Sequence, residues 1–354
     1  MKLAAIADSH FGARNDSPIF REHFKVYFQE VFFPLLKQKK IKKMIHFGDV
    51  WDRRKYVNFV TLNFFRKYFF DPVQEAGIDM DIMLGNHDTT FKDTSEINSV
   101  EELCKWYPNI HIFKETTEVD YDGTKVLIVP WINQENSQQS MDMIEKTDAK
   151  ILFGHLELQG FYMNRSQKAE SGISRDVFKK FDRVYSGHYH HQSTEDNITY
   201  LGSMFEINFS DYNDPRGVHI WDTKKPETME FHQNPFKMHH RVYYDDKEKE
   251  LGALLKKITD KFTGTFVKVF VHNKTNPYYF EKFMEKLFSM NPADIKIEED
   301  ISLTDGDENS VIDMAEDTLT ILYKYVDGLE IDSDKTKIKE ELNTLYNTAL
   351  NMER

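Results

Sequence analysis

The stretch DMDIMLGNHD, Asp79 to Asp88, decides how this chain is read: a strand-like segment, Asp79 to Leu84, ends in the polar cluster Gly85-Asn86-His87-Asp88. A glycine at that junction allows a turn tight enough for backbone and side chain to approach a ligand closely. Working outward, the same design recurs. Lys2 to Ala7 runs into Asp8-Ser9-His10, and Lys43 to Phe47 into Gly48-Asp49-Val50-Trp51-Asp52. Lys150 to Phe153 runs into Gly154-His155, and Arg183 to Tyr185 is followed by Gly187-His188-Tyr189-His190. Lys125 to Pro130, Asn197 to Leu201, Gly217 to Trp221 and Thr228 to Phe231 read as further strands of the same body, with helix-like stretches between. Two sheets covered by helices is the economical architecture.

Five polar clusters at strand ends are expected to converge, because the carboxyl ends of strands are where ligand groups meet in open α/β folds. Alone, each cluster is weak, and an isolated histidine such as His155 is more often structural than a ligand. Together they offer two Asp, one Asn and four His, a mixed oxygen and imidazole set suited to Mn²⁺, Fe²⁺ or Zn²⁺ and less so to Mg²⁺ or Ca²⁺. Seven donors, one of them shared, suffice for two ions, and a metal pair can polarise both oxygens of an in-line phosphoryl displacement.

Composition narrows the class. At 354 residues the chain exceeds what one core usually supports, so a large domain with smaller units is expected. No stretch has the apolar length of a membrane span, and the first residues run straight into a strand, so a cytoplasmic protein is expected. One cysteine, Cys104, excludes an intrachain disulfide and a thiolate metal cluster, and is expected to be a reduced core residue. The net charge of −13 is concentrated: residues 298 to 354 carry 16 acidic and 5 basic groups, leaving 43 acidic and 41 basic in the rest. A near-neutral body leaves room for a basic surface patch.

From about Asn234-Pro235 the pattern changes to strand (Arg241 to Tyr244), helix (Lys247 to Phe262), strand (Phe266 to Val271), helix (Tyr278 to Ser289) and strand (Asp294 to Glu298), a small α+β unit. Residues 298 to 310 are acidic and poor in large apolar groups, and read as a solvated linker. Two amphipathic helices follow, Val311 to Val326 and Lys335 to Met352. Their stripes are open to two readings: docking onto another protein, or packing back on this chain. The expected division is therefore 1–235, 236–297, 298–310 and 311–354.

The ordered motif set resembles the calcineurin-like metallophosphoesterase superfamily, and the domain order resembles its SbcD-type nuclease subunits, in particular those of T-even-like phages. The resemblance implies a two-sheet αββα sandwich with an α+β capping domain over 236–297, which shapes DNA access, and a C-terminal helical pair. It implies that Asp8, His10 and His190 hold one metal, that Asn86, His155 and His188 hold the other, and that Asp49 bridges them, with two Mn²⁺ per subunit and Mg²⁺, Fe²⁺ or Zn²⁺ as alternatives. His87 resembles the family's catalytic histidine, the other reading being an orienter of Asp88 or of a phosphate. Asp52 is expected behind the ligands, and Arg53, Arg54 and Lys55 either contact DNA phosphates or form a solvated basic turn. Glu157 and His191 adjoin ligand motifs without matching ligand positions, and the lysine run Lys37 to Lys43 reads as the exposed end of a helix.

By the same resemblance, residues 311–354 bind an SbcC-type SMC-like ATPase, and the nuclease forms a homodimer, a heterotetramer with the ATPase. The chain has no G-x-x-x-x-G-K-[ST] loop, so any ATP dependence comes from that partner. The aromatic stretch Phe59, Leu62, Phe64, Phe65, Tyr68, Phe69 and Phe70 fits either a dimer interface or core packing. Expected activities are 3′ to 5′ exonuclease on double-stranded DNA and endonuclease on single strands, in DNA end processing, recombination and double-strand-break repair. Two rivals stand beside this reading: a phosphoesterase acting on small or protein substrates, and a non-catalytic scaffold between an ATPase and DNA.

Overall fold

In the computed structural model the described residues are 1–165 and 167–299, together with Val326, Lys335, Lys337, Ile338, Lys339 and Leu342, all six of which are helical. The chain divides into two compact units, Met1–Leu303 and Thr304–Arg354. Residues 300–310 and most of the two expected terminal helices lie outside the described residues.

The first unit is built on two six-stranded mixed sheets. One runs β12 (Met229–Gln233), β11 (Gly217–Asp222), β1 (Lys2–Ile6), β2 (Lys43–His46), β3 (Asp79–Met83) and β4 (Ile110–Phe113). Its β1, β2, β3 and β4 are parallel, while β11 pairs antiparallel with β1. The other runs β5 (Thr117–Tyr121), β6 (Thr124–Val129), β7 (Ile151–His155), β8 (Arg183–Gly187), β10 (Ile198–Tyr200) and β9 (Ser193–Glu195), with β6, β7, β8 and β10 parallel.

The period of two along each strand explains the layering. Leu3, Ala5 and Ala7 join Ile45, Phe47, Met83, Val126, Ile128, Phe153 and Trp221 in the core between the sheets. Ala4 and Ile6 face the other way, into a core roofed by helices, and Cys104 is buried in that same core. Asp81 of β3 enters the inter-sheet layer as a buried carboxylate. It survives there because Tyr121 Oη and Lys43 Nζ each donate to it at 2.6 Å.

The helical roof answers the question left by the aromatic stretch. Its two helical runs each widen into a π turn, at Phe28–Phe32 and Arg66–Phe70. Phe65, Phe69 and Phe70 are fully buried there against Phe28, Phe32 and Phe11. Core packing therefore takes most of the stretch, while Phe59 at 84 % exposure, with Tyr56 and Val60, faces outward. The lysine run does sit at a helix end, Phe33–Lys39, closed by left-handed Lys40.

Three parallel strands, β13 (His239–Asp245), β14 (Phe266–Asn273) and β15 (Asp294–Glu299), form a separate small sheet backed by the helix Pro277–Ser289. The expected helix from Lys247 to Phe262 is corrected to a short one, Leu251–Leu255, and a 3₁₀ turn at Asp260–Phe262. The β-branched pair Ile258-Thr259 interrupts it, with Ile258 and Phe262 turned into the core and Thr259 extended. Strands β4, β5 and β9 carry little signal in the sequence: β4 and β9 are short, and β5 is a half-exposed edge strand. Among the described residues no helix is long and apolar enough to cross a membrane.

Candidate metal centre

The parallel strands β1, β2, β3, β7 and β8 all deliver their C-terminal ends to one place. The turns after β1, β2 and β8 are locally forced. Asp8, His10, Asp49 and His188 have positive φ, at 51°, 43°, 55° and 89°, a conformation that disfavours non-glycine residues. Such outliers persist where surrounding structure over-determines them. Phe11, stacked on Phe65 at 3.9 Å and edge-on to Trp51, anchors the first turn in the core. Gly48 is also left-handed, and a Cβ there would meet Gly85 N and His155 Nδ1 at 2.6 Å. Only glycine permits that approach.

The side chains converge. Donor atoms of Asp8, His10 and His190 lie within 4.8 Å of one another, as do those of Asp49, His155 and His188. His10 Nε2 is 2.9 Å from His190 Nε2. Asn86 Oδ1 is 3.0 Å from His155 Nε2 and 2.8 Å from His188 Nδ1. Asp49 Oδ2 stands between the groups, 3.7 Å from His10 Nε2 and 3.6 Å from His155 Nε2.

Outer groups fix how these donors point. Because a carbonyl only accepts, His155 Nδ1 donates to Phe47 O at 2.6 Å, leaving Nε2 with its lone pair toward the centre. His10 Nδ1 faces the Asp52 carboxylate at 3.5 Å, which turns Nε2 inward. The buried Asp88 carboxylate accepts from the backbone N–H of Asp49, Val50 and Gly85 at 2.8–2.9 Å, clamping two ligand turns together. His87 donates from Nδ1 to Asp52 O at 2.7 Å, and its ring meets that of His10 edge-on at 4.8 Å.

Burial and charge set the electrostatics. Burial, reinforced by Asp49, pushes the Asp8 carboxyl well above its ordinary range. Burial would raise Asp49 too, but the imidazoles clustered around it, His155 and His87 foremost, outweigh that and hold it below the ordinary carboxylate range. Burial pulls His188 down to about 3 and His190 well below the ordinary imidazole range, so both are neutral donors at pH 7. His10 runs opposite: burial lowers it, but Asp52 and the carboxylates Asp49 and Asp8 raise it to about 9. Buried imidazole nitrogens that face one another, with carboxylates between them, have the chemistry of a cation site. The donor set fits divalent ions.

Other expected residues are placed differently. Arg53 is turned toward Asn15, Tyr56 and Asp16, whereas Arg54 lies over the ring of Trp131 at 5.1 Å and reaches Thr89 Oγ1 at 3.4 Å. His191 bonds Asp214 at 2.9 Å. That contact opens onto a network without a local sequence signal. Arg216, only 4 % exposed, donates to His190 O and Ser203 Oγ and pairs with Asp211 at 2.7 Å and Asp214 at 2.9 Å. It braces the His188–His191 turn from a position 26 residues beyond His190, a separation no spacing rule bridges.

A two-sheet sandwich that gathers buried histidines and carboxylates from five strand ends defines a metal-dependent phosphoesterase. The chain belongs to the calcineurin-like phosphoesterase family, whose pattern matches residues 1–192. It is 30 % identical over 350 residues to exonuclease subunit 1 of Enterobacteria phage T4, an overlap of 98 % of each chain. It is 25 % identical over 257 residues to the SbcD polypeptide of the nuclease SbcCD from Staphylococcus saprophyticus, covering 63 % of this chain and 66 % of that one. A third relative, the SbcD polypeptide of the same nuclease from Staphylococcus epidermidis, is 21 % identical over 262 residues, 65 % of this chain and 68 % of its own.

Proposed function

We propose that this chain is the nuclease subunit of a DNA-end-processing recombination complex, acting as a 3′ to 5′ exonuclease on double-stranded DNA and an endonuclease on single strands with two Mn²⁺ per subunit. The observation that carries it is the meeting of Asp8, His10, Asp49, Asn86, His155, His188 and His190 beside His87. The near full-length likeness to a phage exonuclease subunit supports DNA as substrate.

Divalent ions bound there supply Lewis acidity and a nucleophile at neutral pH. The protein does the rest. Asp8, His10 and His190 form one binding group and Asn86, His155 and His188 the other, with Asp49 shared. Phe47 O leaves the His155 lone pair pointing inward, and Asp52 turns His10 Nε2 toward the same centre. His87 has Nδ1 committed to Asp52 O, so Nε2 is the atom left to bond the phosphate and to protonate the leaving 3′ oxygen. Arg54 adds positive charge near the phosphate path.

In this reading the chain works in the cytoplasm, that of the host if it is phage-encoded, and residues 311–354 engage an SbcC-type ATPase while residues 236–297 shape DNA access. The exposed Phe59, Tyr56 and Val60 suit the homodimer contact. The purified protein, given Mn²⁺, should degrade duplex DNA far faster than it hydrolyses a small aryl phosphate monoester. Efficient monoester hydrolysis with DNA left intact would establish the phosphatase reading instead.

A further inference from the structure

A cavity of about 150 Å³ opens beside the centre, lined by Trp131, Ile132, His155, Glu157, Gly172 and Ile173 among others. One wall is thus a candidate ligand of the centre itself. Another wall is a fixed ladder: Ile173 N–H donates to Glu157 O at 2.8 Å and Gln159 N–H to Ile173 O at 3.2 Å. Gly172, at φ +126°, keeps those segments close, since a Cβ there would meet Glu157 O at 2.6 Å. Trp131 brings an indole to the cavity, and the guanidinium of Arg54 lies over its ring. Nothing in the phosphoryl-transfer chemistry requires this hollow.

We propose that the cavity is a subsite for one unpaired pyrimidine base, cytosine in preference to thymine, on the nucleotide flanking the phosphate held at the centre. The proposal rests on the nuclease reading. A phosphate at His155 carries its own nucleoside within one sugar of the cavity. A hollow of about 150 Å³ matches a single six-membered aromatic ring more closely than a fused purine, an engineered cavity of that size being one that accepts benzene. Trp131 lines the hollow, and an indole is a stacking partner that tolerates any base that fits. Glu157 is exposed at the rim and supplies only acceptors. Cytosine presents an N4 amino donor to it, whereas thymine presents a carbonyl that the carboxylate repels. A paired base cannot enter, so the flanking nucleotide has to leave the duplex before the cut.

The test uses full-length protein with Mn²⁺ and single-stranded oligonucleotides that carry one cleavable phosphodiester among methylphosphonate linkages, flanked by cytosine, thymine, adenine or an abasic site. Wild type should show kcat/KM falling in that order, with cytosine roughly tenfold to hundredfold above the abasic substrate, the size of one base–aromatic stack. Trp131→Ala should flatten the series to the abasic value, and Glu157→Leu should equalise cytosine and thymine while leaving both above abasic. The wild-type series alone decides the matter if a variant fails to fold. Equal rates on all four substrates overturn the base subsite and leave the nuclease reading standing. Failure to cut any of them, while bis(p-nitrophenyl) phosphate is hydrolysed, overturns both.

Discussion

Asp88 holds Asp49 by its backbone: the Asp88 carboxylate accepts the Asp49 N–H at 2.8 Å and, from the neighbouring turn, the Gly85 N–H at 2.9 Å. Asp49, the residue placed between the two donor groups, is thereby positioned by a residue that belongs to neither. Asp88→Asn is nearly isosteric but turns one acceptor into a donor facing N–H groups. It should weaken metal binding about tenfold to a hundredfold and destabilise the fold by about 1–3 kcal/mol. Calorimetric titration with Mn²⁺ and urea unfolding read the two effects separately.

His87 is the group assigned the proton transfer in this account. His87→Ser should lower the cleavage rate by about a hundredfold to ten-thousandfold, the range of general acid–base catalysis. Metal content and DNA affinity should hold. Retained nuclease activity would remove His87 from the mechanism.

Arg216 should matter to stability and to the site together. Truncating one partner of a buried ion network leaves charges unpaired, here Asp211 and Asp214, at a cost of about 3–5 kcal/mol. Arg216→Met should lower the urea midpoint and loosen the His188–His191 turn, seen as weaker Mn²⁺ binding. An unchanged midpoint would show that the network does not brace the turn.

Acid should destabilise the metal-free protein. Burial pulls His23, His219 and His240 down to about 4 from 6.5. Between those values these three histidines bind more protons in the unfolded chain than in the folded one, so the stability they contribute is complete above pH 6.5 and is lost as pH drops toward 4. The slope is about 1.4 kcal/mol per pH unit for each fully effective histidine, and less for the partly solvated His240. Urea midpoints measured in EDTA should be lower at about pH 5 than at about pH 7, and an equal or higher value in the more acidic buffer would contradict the burial argument.

Much of the site was legible because ligand chemistry and strand periodicity leave short-range marks. Gly85-Asn86-His87-Asp88 and Gly187-His188-Tyr189-His190 announce both a strand end and a donor. The bracing groups leave none. Phe47 contributes a backbone carbonyl, which any residue has, and Arg216 acts through contacts 26 residues from His190 and 13 from Ser203. Trp131 sits in a loop whose neighbours say nothing of His155. The aromatic stretch from Phe59 to Phe70 was ambiguous for another reason: its helical run widens into a π turn at Arg66–Phe70, a shift in period that no regular helical spacing anticipates.

Metal content decides the central claim most directly. Elemental analysis of the full-length protein after Mn²⁺ loading and desalting should find about two ions per chain, as a shared-donor pair requires. Asp49→Ala should lose both, and His188→Ala should lose one. Less than one ion per wild-type chain, or an Asp49→Ala protein that still carries the full complement, would contradict the binuclear centre on which the nuclease assignment stands.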